Sequence, residues 1–166
     1  MNIYIENINK YSENFYKDVY LKLNNYQKNK ISKKVDSDSK KRSLLALHLV
    51  SKHLNIDVKS ISYRKNIPYV KGFYFSISHS DELVCVAFSN AKIGVDIEKI
   101  KPVDKSVYNF YKENDLTTLF IKHTMIESNI KCFSLNVSNF DLDKGYYKVI
   151  IINKSYVLCI CSCQIL

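Results

Sequence analysis

The sequence predicts an α+β protein in which blocks of helix alternate with blocks of antiparallel strand. Apolar residues recur at helical spacing over 11–30 and 105–131, and short apolar runs typical of strands follow each block. With 166 residues, of which 46% are hydrophobic, the chain is long enough for one domain built from two small packed halves. Because helices followed by strands occur twice, we expect two similar halves, about 1–90 and 91–166, within a single domain covering 1–166.

In the first half, the pattern predicts a strand at 1–5, a helix over 11–30 and a polar, basic segment over 28–42. Asp36 and the serines after it are good N-cap residues for a helix that continues to Leu54. This helix carries too many leucines for one exposed face, so we expect it to be buried. Strands are predicted at 59–64, 73–77 and 83–88, with a turn at Asp81 and Glu82.

The second half is predicted to begin with a strand at 92–98, followed by a helical region over 105–131. Three strands are then expected, at 133–138, 146–152 and 155–161. Asn153 and Lys154 are placed to form the hairpin turn between the last two strands.

The net charge of +9 allows two interpretations, a lysine-rich composition without further meaning or a surface that binds a polyanion. Nucleic acid is not an expected partner, because no stacking motif or recognition helix accompanies the charge. No apolar run reaches the roughly 18 residues of a membrane span, and no secretory signal is visible at the N-terminus. The odd number of cysteines, five, favours reduced thiols and a cytoplasmic protein.

The apolar run at 93–97 contains one carboxylate, Asp96, and a second carboxylate, Glu98, follows the run directly. Residues two apart in a strand share a face and lie about 6.6–6.8 Å apart, so both can reach one cation while Val95 and Ile97 face a core. Carboxylate oxygens without a histidine or cysteine at matching spacing favour Mg²⁺ over zinc. The alternative is an edge strand whose solvent face carries Asp and Glu.

Ser78, His79 and Ser80 follow the alternating run 73–77 directly. Hydroxyls, an imidazole and backbone amides at a strand end can cradle an anion. A Ser–His nucleophile pair is geometrically poor, because neighbouring residues on a strand face opposite ways. A turn with satisfied polar groups is the simpler interpretation.

A third polar group lies in the second helical region. Glu127 and Lys131 are four residues apart and therefore share a helix face. They form either a surface ion pair or a carboxylate beside a metal and an ammonium beside a phosphate.

Taken in order, F-x-I-S-H-S, I-G-V-D-I-E and a helical x-T-x-x-E-S-x-x-K resemble the 4′-phosphopantetheinyl transferases of the surfactin-synthetase-activating type. The resemblance is dense from Lys65 to Glu98 and looser from Arg42 to Lys131. It implies that the two halves pack as an intramolecular pseudo-dimer in a short, partly divergent member of the family. It also implies an Mg²⁺-dependent transfer of 4′-phosphopantetheine from coenzyme A to a serine of an acidic apo acyl or peptidyl carrier protein, with release of 3′,5′-ADP, by a monomer.

The resemblance assigns roles by position. Asp96, Glu98 and Glu127 would hold Mg²⁺, and Ser78 and His79 would contact the phosphates of coenzyme A. Glu127, Lys131 and His79 would form the catalytic set, with Lys131 stabilising the leaving phosphate. The contacts to the 3′-phosphoadenosine end would come from Lys30, Arg42, Ser43 and Lys65.

Two positions depart from the family's third motif, W-[ST]-x-K-E-[AS]-x-x-K. His123 replaces the aromatic residue, and Ile126 replaces the first lysine. These changes leave open an alternative function, a catalytically impaired protein on the same fold that binds coenzyme A without transferring phosphopantetheine.

Overall fold

The computed structural model describes residues 1–64 and 66–165. The elements of the first half are β1 Asn2–Asn7, α1 Glu13–Leu21, α2 Asn25–Ser32, α3 Ser37–Leu54, β2 Ser62–Arg64, β3 Ile67–Tyr69, β4 Tyr74–Ser80 and β5 Leu83–Ser89. Those of the second half are β6 Ile93–Lys99, α4 Lys105–Tyr111, α5 Leu116–Phe133, β7 Tyr146–Ile152 and β8 Tyr156–Ser162. The predicted α+β class is confirmed.

The two larger sheets share one strand order. In the first the order is β1-β5-β4, and in the second it is β6-β8-β7, with every pairing antiparallel. Each sheet therefore places the last strand of its half at the centre and the first strand at one edge. The short strands β2 and β3 form a separate antiparallel pair.

The central strand β5 is buried on both faces, which explains its continuous apolar run. Val84 and Val86 pack into the core that contains α3, whereas Cys85 and Ala87 pack into a second core with residues of β6 and β8. All four side chains are inaccessible to solvent. One strand thus contributes side chains to both of these cores.

The first strand of the second half, β6, separates its apolar and polar residues between two faces. Val95 and Ile97 lie in the second core, as the alternation predicts. On the other face, a Cβ atom at Gly94 would overlap the carbonyl oxygen of Ser128 and lie 2.5 Å from the amide nitrogen of Cys132. Helix α5 therefore lies directly against the face of β6 that carries Asp96 and Glu98, and only glycine allows this approach.

The helix predicted over 11–30 is two helices, α1 and α2, so its continuity is wrong, whereas the helical region predicted over 105–131 is confirmed as α4 and α5. Asn24 begins α2 with a capping box, in which its side chain accepts a hydrogen bond from the Gln27 amide at 2.9 Å and the Gln27 side chain accepts from the Asn24 amide at 3.0 Å. Lys112 ends α4 in the left-handed region, and Asp115 then caps α5. These polar residues satisfy helix ends locally, which stops one helix and starts the next.

The strand predicted at 133–138 is also wrong. Helix α5 continues to Phe133 and ends at Ser134 in the left-handed conformation, and a short 3₁₀ helix, Val137–Asn139, follows. The amide of Asn129 donates hydrogen bonds to the carbonyls of Asp141 and Lys144, both at 2.9 Å. These bonds hold the loop against α5, which overrides the alternating pattern.

The region predicted as a strand at 59–64 is shorter in the structure. A 3₁₀ helix, Val58–Ser60, precedes β2, and β3 was not predicted because Pro68 interrupts its pattern. The predicted hairpin turn at Asn153 and Lys154 is confirmed, with φ angles of 49° and 57°. Asp81, in the turn predicted between β4 and β5, has a φ of 46°.

Candidate active site

A cleft of about 500 Å³ opens beside β4 and β6, with residues of α2 and α3 on one side and of α5 on the other. Among the residues that the sequence predicts for the site, those lining this cleft are Lys30, Ser43, Ser78, His79, Asp96, Glu98, Glu127 and Lys131.

Serine side chains of β4 bind the backbone of β6. The amides of Val95 and Lys99 donate hydrogen bonds to the hydroxyl oxygens of Ser76 and Ser80, both at 3.0 Å. The two strands belong to different sheets and run in the same direction, so these hydroxyls replace a backbone ladder. This contact holds the first half of the chain against the second.

The same row of serines binds the acid pair. The Ser78 hydroxyl donates to Asp96 Oδ1 at 2.8 Å, and the Ser80 hydroxyl donates to Glu98 Oε2 at 2.8 Å. Ser78, His79 and Ser80 all pair with β5, so the interpretation of this triplet as a turn is wrong. The serines act as donors to carboxylates, which suits a strand packed beside charged groups.

Lys131 meets the acid pair from α5. Its ammonium lies 2.6 Å from Asp96 Oδ1 and 3.1 Å from both the Ser78 hydroxyl oxygen and the Val95 carbonyl oxygen. The side chain of Asp96 is 4% exposed and that of Lys131 is 31% exposed. Lys131 therefore compensates a buried charge on β6 and does not form the surface pair with Glu127 that the spacing alone allows.

The second oxygen of Asp96, Oδ2, is buried and has no hydrogen-bond partner among the described residues. Asp96, Glu98 and His123 each offer one atom that could bind a metal ion, and these three atoms lie within 4.8 Å of one another. Glu127 lines the same cleft but is outside this compact group. A buried carboxylate oxygen without a donor fits a cation, so the residues present suit a divalent ion.

The environment of Glu98 supports the same conclusion. Burial raises the pKa of this carboxyl, and the nearby charge of Asp96 raises it further, while the hydrogen bond from Ser80 opposes both effects. Burial therefore destabilises the charged form of Glu98, although the charge of Lys131 acts in the opposite direction. An ion bound between the two carboxylates would remove this penalty.

The wall formed by α2 is positively charged. The Lys30 ammonium contacts the carbonyl and side-chain oxygens of Asn66 at 3.2 and 3.0 Å and lies 4.8 Å from the ring centre of Tyr63. Burial lowers the pKa of Lys30, and the neighbouring Lys34 lowers it further. Two ammonium groups close together in a cleft favour an anionic ligand.

Residues of α3 and β4 complete this wall. Ser43 donates its hydroxyl to the Ser39 carbonyl one turn earlier in α3. His79 lines the cleft with a side chain that is partly open to solvent, yet the surrounding atoms still desolvate its imidazole, which lowers its pKa, and the charge of Arg42 lowers it further. The imidazole is therefore a neutral hydrogen-bonding group at neutral pH.

Arg42 is committed to the turn beside the cleft. Its guanidinium donates to the carbonyl of Asp81 at 2.8 Å and to the Ser39 hydroxyl at 3.1 Å. Its Nε is buried and has no hydrogen-bond partner within residues 1–64 and 66–165. Lys65, the remaining predicted contact, lies outside the described residues.

Sequence reasoning did not assign a role to several residues that line or support the cleft. Ser76 extends the period of two formed by Ser78 and Ser80, so this spacing alone could have identified the serine row. Lys34 lies in the basic segment already noted. His123 was seen only as a departure from a motif, and no local signal marks Tyr111, whose hydroxyl lies 2.6 Å from His123 Nδ1.

Comparison with known proteins yields relatives of one kind. The 4′-phosphopantetheinyl transferase gsp of Aneurinibacillus migulanus is 35% identical over 136 residues, which cover 66% of this chain and 57% of the relative. The 4′-phosphopantetheinyl transferase ffp of Bacillus subtilis is 41% identical over 58 residues, 34% of this chain and 26% of the relative. The 4′-phosphopantetheinyl transferase Sfp of Bacillus subtilis strain 168 is 29% identical over 86 residues, 48% of this chain and 38% of the relative.

The chain is similar in sequence to 4′-phosphopantetheinyl transferases. It spans little more than half the length of the first of these relatives and less of the other two. No protein-family model matches it. Across the described residues, every helix is too short or too polar to cross a membrane.

The two departures from the transferase motif have different surroundings. Ile126 is 6% exposed and packs inside the protein, so this position presents no charge to the cleft. His123 lines the cleft beside the acid pair. The change at His123 therefore alters the chemistry of the site directly, whereas the change at Ile126 does not.

Proposed function

We propose that the protein transfers the 4′-phosphopantetheine group of coenzyme A to a serine of an apo acyl or peptidyl carrier protein, with a divalent cation, and releases 3′,5′-ADP. The observation that carries the proposal is that one cleft brings together the acid pair Asp96 and Glu98, the ammonium of Lys131, and a basic wall formed by Lys30 and Lys34. A pyrophosphate ester needs both a cation site and basic groups, and phosphoryl transfer depends mainly on positioning and charge neutralisation. The relationship to the transferases supports the same reaction.

The basic side of the cleft would receive the phosphates of coenzyme A. Lys30 would supply a charge to the 3′-phosphoadenosine end, with Ser43 as a hydroxyl donor from α3. Ser78 and His79 would contact phosphate oxygens from β4. Arg42 and Lys65 are proposed to complete this binding surface, as the family's pattern implies.

Mg²⁺ is the cation proposed from the family's pattern, with Asp96, Glu98 and Glu127 as the residues that would hold it. The buried Oδ2 of Asp96, which has no hydrogen-bond partner in the described part of the chain, and the raised pKa of Glu98 both support a cation here. When bound, such an ion would neutralise charge on the pyrophosphate.

The chain's own groups would manage the proton and the leaving group. Glu127 has a carboxylate in the cleft that can accept the proton of the carrier serine. Lys131 is partly exposed on the cleft side and can donate to the phosphate that departs with 3′,5′-ADP. His79, neutral at pH 7, would complete the catalytic set as a hydrogen-bonding group for phosphate.

We further propose that the halves 1–90 and 91–166 form an intramolecular pseudo-dimer within a single transferase domain that acts as a monomer. The shared strand order and the equal length of α3 and α5, 18 residues each, support this arrangement. The net charge of +9 would attract an acidic carrier protein. The cysteines are all free thiols in the structure, which suits a reaction in the cytoplasm.

The test is to incubate the protein with coenzyme A, a divalent cation and an apo acyl carrier protein, and to measure the carrier by intact mass spectrometry. We expect the carrier to gain one phosphopantetheine group and 3′,5′-ADP to appear in equal amount. Asp96→Ala and Glu127→Ala should abolish the product. Lys122→Ala is the matched control, because Lys122 lies on the same helix and pairs with Glu113 outside the acid pair. Full carrier modification by either acid variant would contradict the proposal.

The buried Ile126 favours a second candidate, a protein that binds coenzyme A without transfer. In this case coenzyme A would raise the melting temperature, but no 3′,5′-ADP would form with any carrier offered. Restoring the motif's lysine by Ile126→Lys would place a charge in a packed position, so the wild-type protein is the one to measure.

A further inference from the structure

His123 occupies a position from which it can reach the same cation as the acid pair. It lies on α5 one turn before Glu127 and two turns before Lys131, so all three share the helix face that meets β6. Lys131 contacts one oxygen of Asp96. A ring nitrogen of His123 lies within 4.8 Å of carboxylate oxygens of Asp96 and Glu98. The cleft therefore offers oxygen from β6 and nitrogen from α5.

A second observation points to a ligand at this place. Asp96 Oδ2 is buried and has no hydrogen-bond donor among the described residues, although the side chain is almost fully enclosed. A buried carboxylate oxygen is normally satisfied by a donor or a cation. The lysine and serine contacts are all made by the other oxygen, Oδ1, which leaves Oδ2 for an ion.

Tyr111 orients the imidazole. Its hydroxyl oxygen lies 2.6 Å from His123 Nδ1, which engages this ring nitrogen. If Nδ1 carries the proton and donates to the tyrosine oxygen, Nε2 keeps a free lone pair and can bind a metal. A hydrogen bond of this kind is the usual support of a metal-bound histidine.

We propose that His123 is a nitrogen ligand of the divalent cation held by Asp96 and Glu98, and that this nitrogen makes the site select first-row transition ions such as Mn²⁺ over Mg²⁺. The inference rests on the cation site of the proposed function and adds the residue that determines which ion the site prefers. Mg²⁺ favours an all-oxygen octahedral shell, whereas transition ions accept imidazole together with carboxylate.

The experiment uses the full chain and Mn²⁺ alone, without coenzyme A. Pulsed electron paramagnetic resonance of bound Mn²⁺ detects a directly coordinated ¹⁴N nucleus, and competition with Mg²⁺ gives the selectivity. We expect ¹⁴N coupling in the wild type and a preference for Mn²⁺ over Mg²⁺ of about tenfold or more. His123→Leu should remove the coupling and most of the preference.

Two variants act as controls. His48→Leu removes an imidazole that lies outside this cleft and should keep the ¹⁴N coupling, because it leaves His123 in place. Tyr111→Phe should keep the coupling but weaken Mn²⁺ binding by about tenfold, since it removes only the orienting hydrogen bond. Circular dichroism of each variant checks that it is folded, and the wild-type spectrum alone decides the point if a variant does not fold.

Bound Mn²⁺ without ¹⁴N coupling in the wild type would overturn the inference, as would coupling that persists in His123→Leu. A wild-type protein that binds no Mn²⁺ would overturn it too. These outcomes are separate from failure of the proposed function. Carrier modification with Mg²⁺ and no ¹⁴N coupling would refute only the role of His123, whereas ¹⁴N coupling without carrier modification would refute only the transferase.

Discussion

The contact between Lys131 and Asp96 allows a quantitative prediction about stability. Lys131→Met keeps the length and apolar stem of the side chain but removes the ammonium, and with it the compensation of a carboxylate whose residue is 3% exposed. Removing one partner of a buried ion pair costs about 3–5 kcal/mol. Because the Lys131 side chain is 31% exposed on the cleft side, water can partly replace it, so we expect a loss of about 2–3 kcal/mol in unfolding free energy.

A double-mutant cycle isolates the interaction. Asp96→Asn removes the charge that requires the lysine, so Lys131→Met should cost much less in the Asp96→Asn background. We expect a coupling energy of about 2 kcal/mol from denaturant unfolding in chelator, which keeps divalent ions out of the cleft. Lys122→Met is the control, because its partner Glu113 is at 2.9 Å but the two side chains are 38% and 22% exposed. This surface pair should contribute about 1 kcal/mol or less.

A coupling energy below about 0.5 kcal/mol would refute the reasoning, since it would place Lys131 in the class of solvated surface pairs. A cost for Lys122→Met equal to that of Lys131→Met would do the same, because burial would then have no influence on the strength of the pair.

Three further predictions follow from the packing and the charges. Gly94→Ala should lower the unfolding free energy by about 3 kcal/mol, because its methyl group would overlap the Ser128 carbonyl, and an unchanged melting temperature would show that α5 is not this close to β6. Because the folded protein binds a proton at His79 less readily than the unfolded chain does, stability should fall as the pH is lowered through about 6.5, and His79→Gln should reduce the difference in unfolding free energy between about pH 7.5 and about pH 5.5. An equal pH dependence in variant and wild type would contradict this assignment. Lys30→Met should weaken coenzyme A binding about tenfold by calorimetry, whereas Lys28→Met, outside the lining of the cleft, should not, and equal affinities would remove Lys30 from the binding wall.

Local patterns in the sequence correctly predicted several elements of the fold. The alternation around Val95 and Ile97 correctly predicted which residues of β6 enter the core, because a strand's period of two depends only on its own backbone. Asn153 and Lys154 marked their hairpin for a similar reason, since the turn is a local conformation. The prediction of a strand at 133–138 was wrong, because hydrogen bonds from Asn129 to the carbonyls of Asp141 and Lys144 hold the following loop against α5. The local pattern contains no information about these contacts.

The order of three motifs in the sequence indicated the family and the residues that could form a site. It placed Asp96 and Glu98 on one face of a strand and Lys131 on a helix that follows. It did not determine which groups would touch, because Ser78 and Lys131 are 53 residues apart, and only the close approach of α5 to Gly94 brings them together. Spacing along a helix paired Lys131 with Glu127, whereas the tertiary structure pairs it with Asp96, the more deeply buried charge.

The sequence by itself determined the α+β class, the acid pair and the basic segment, since each is a property of neighbouring residues. Only the tertiary structure decided that a row of serines on β4 would bind that pair and that His123 would stand beside it. Burial is the physical reason: a carboxylate enclosed between a strand and a helix must find partners from whichever elements enclose it, and these lie far apart in the chain.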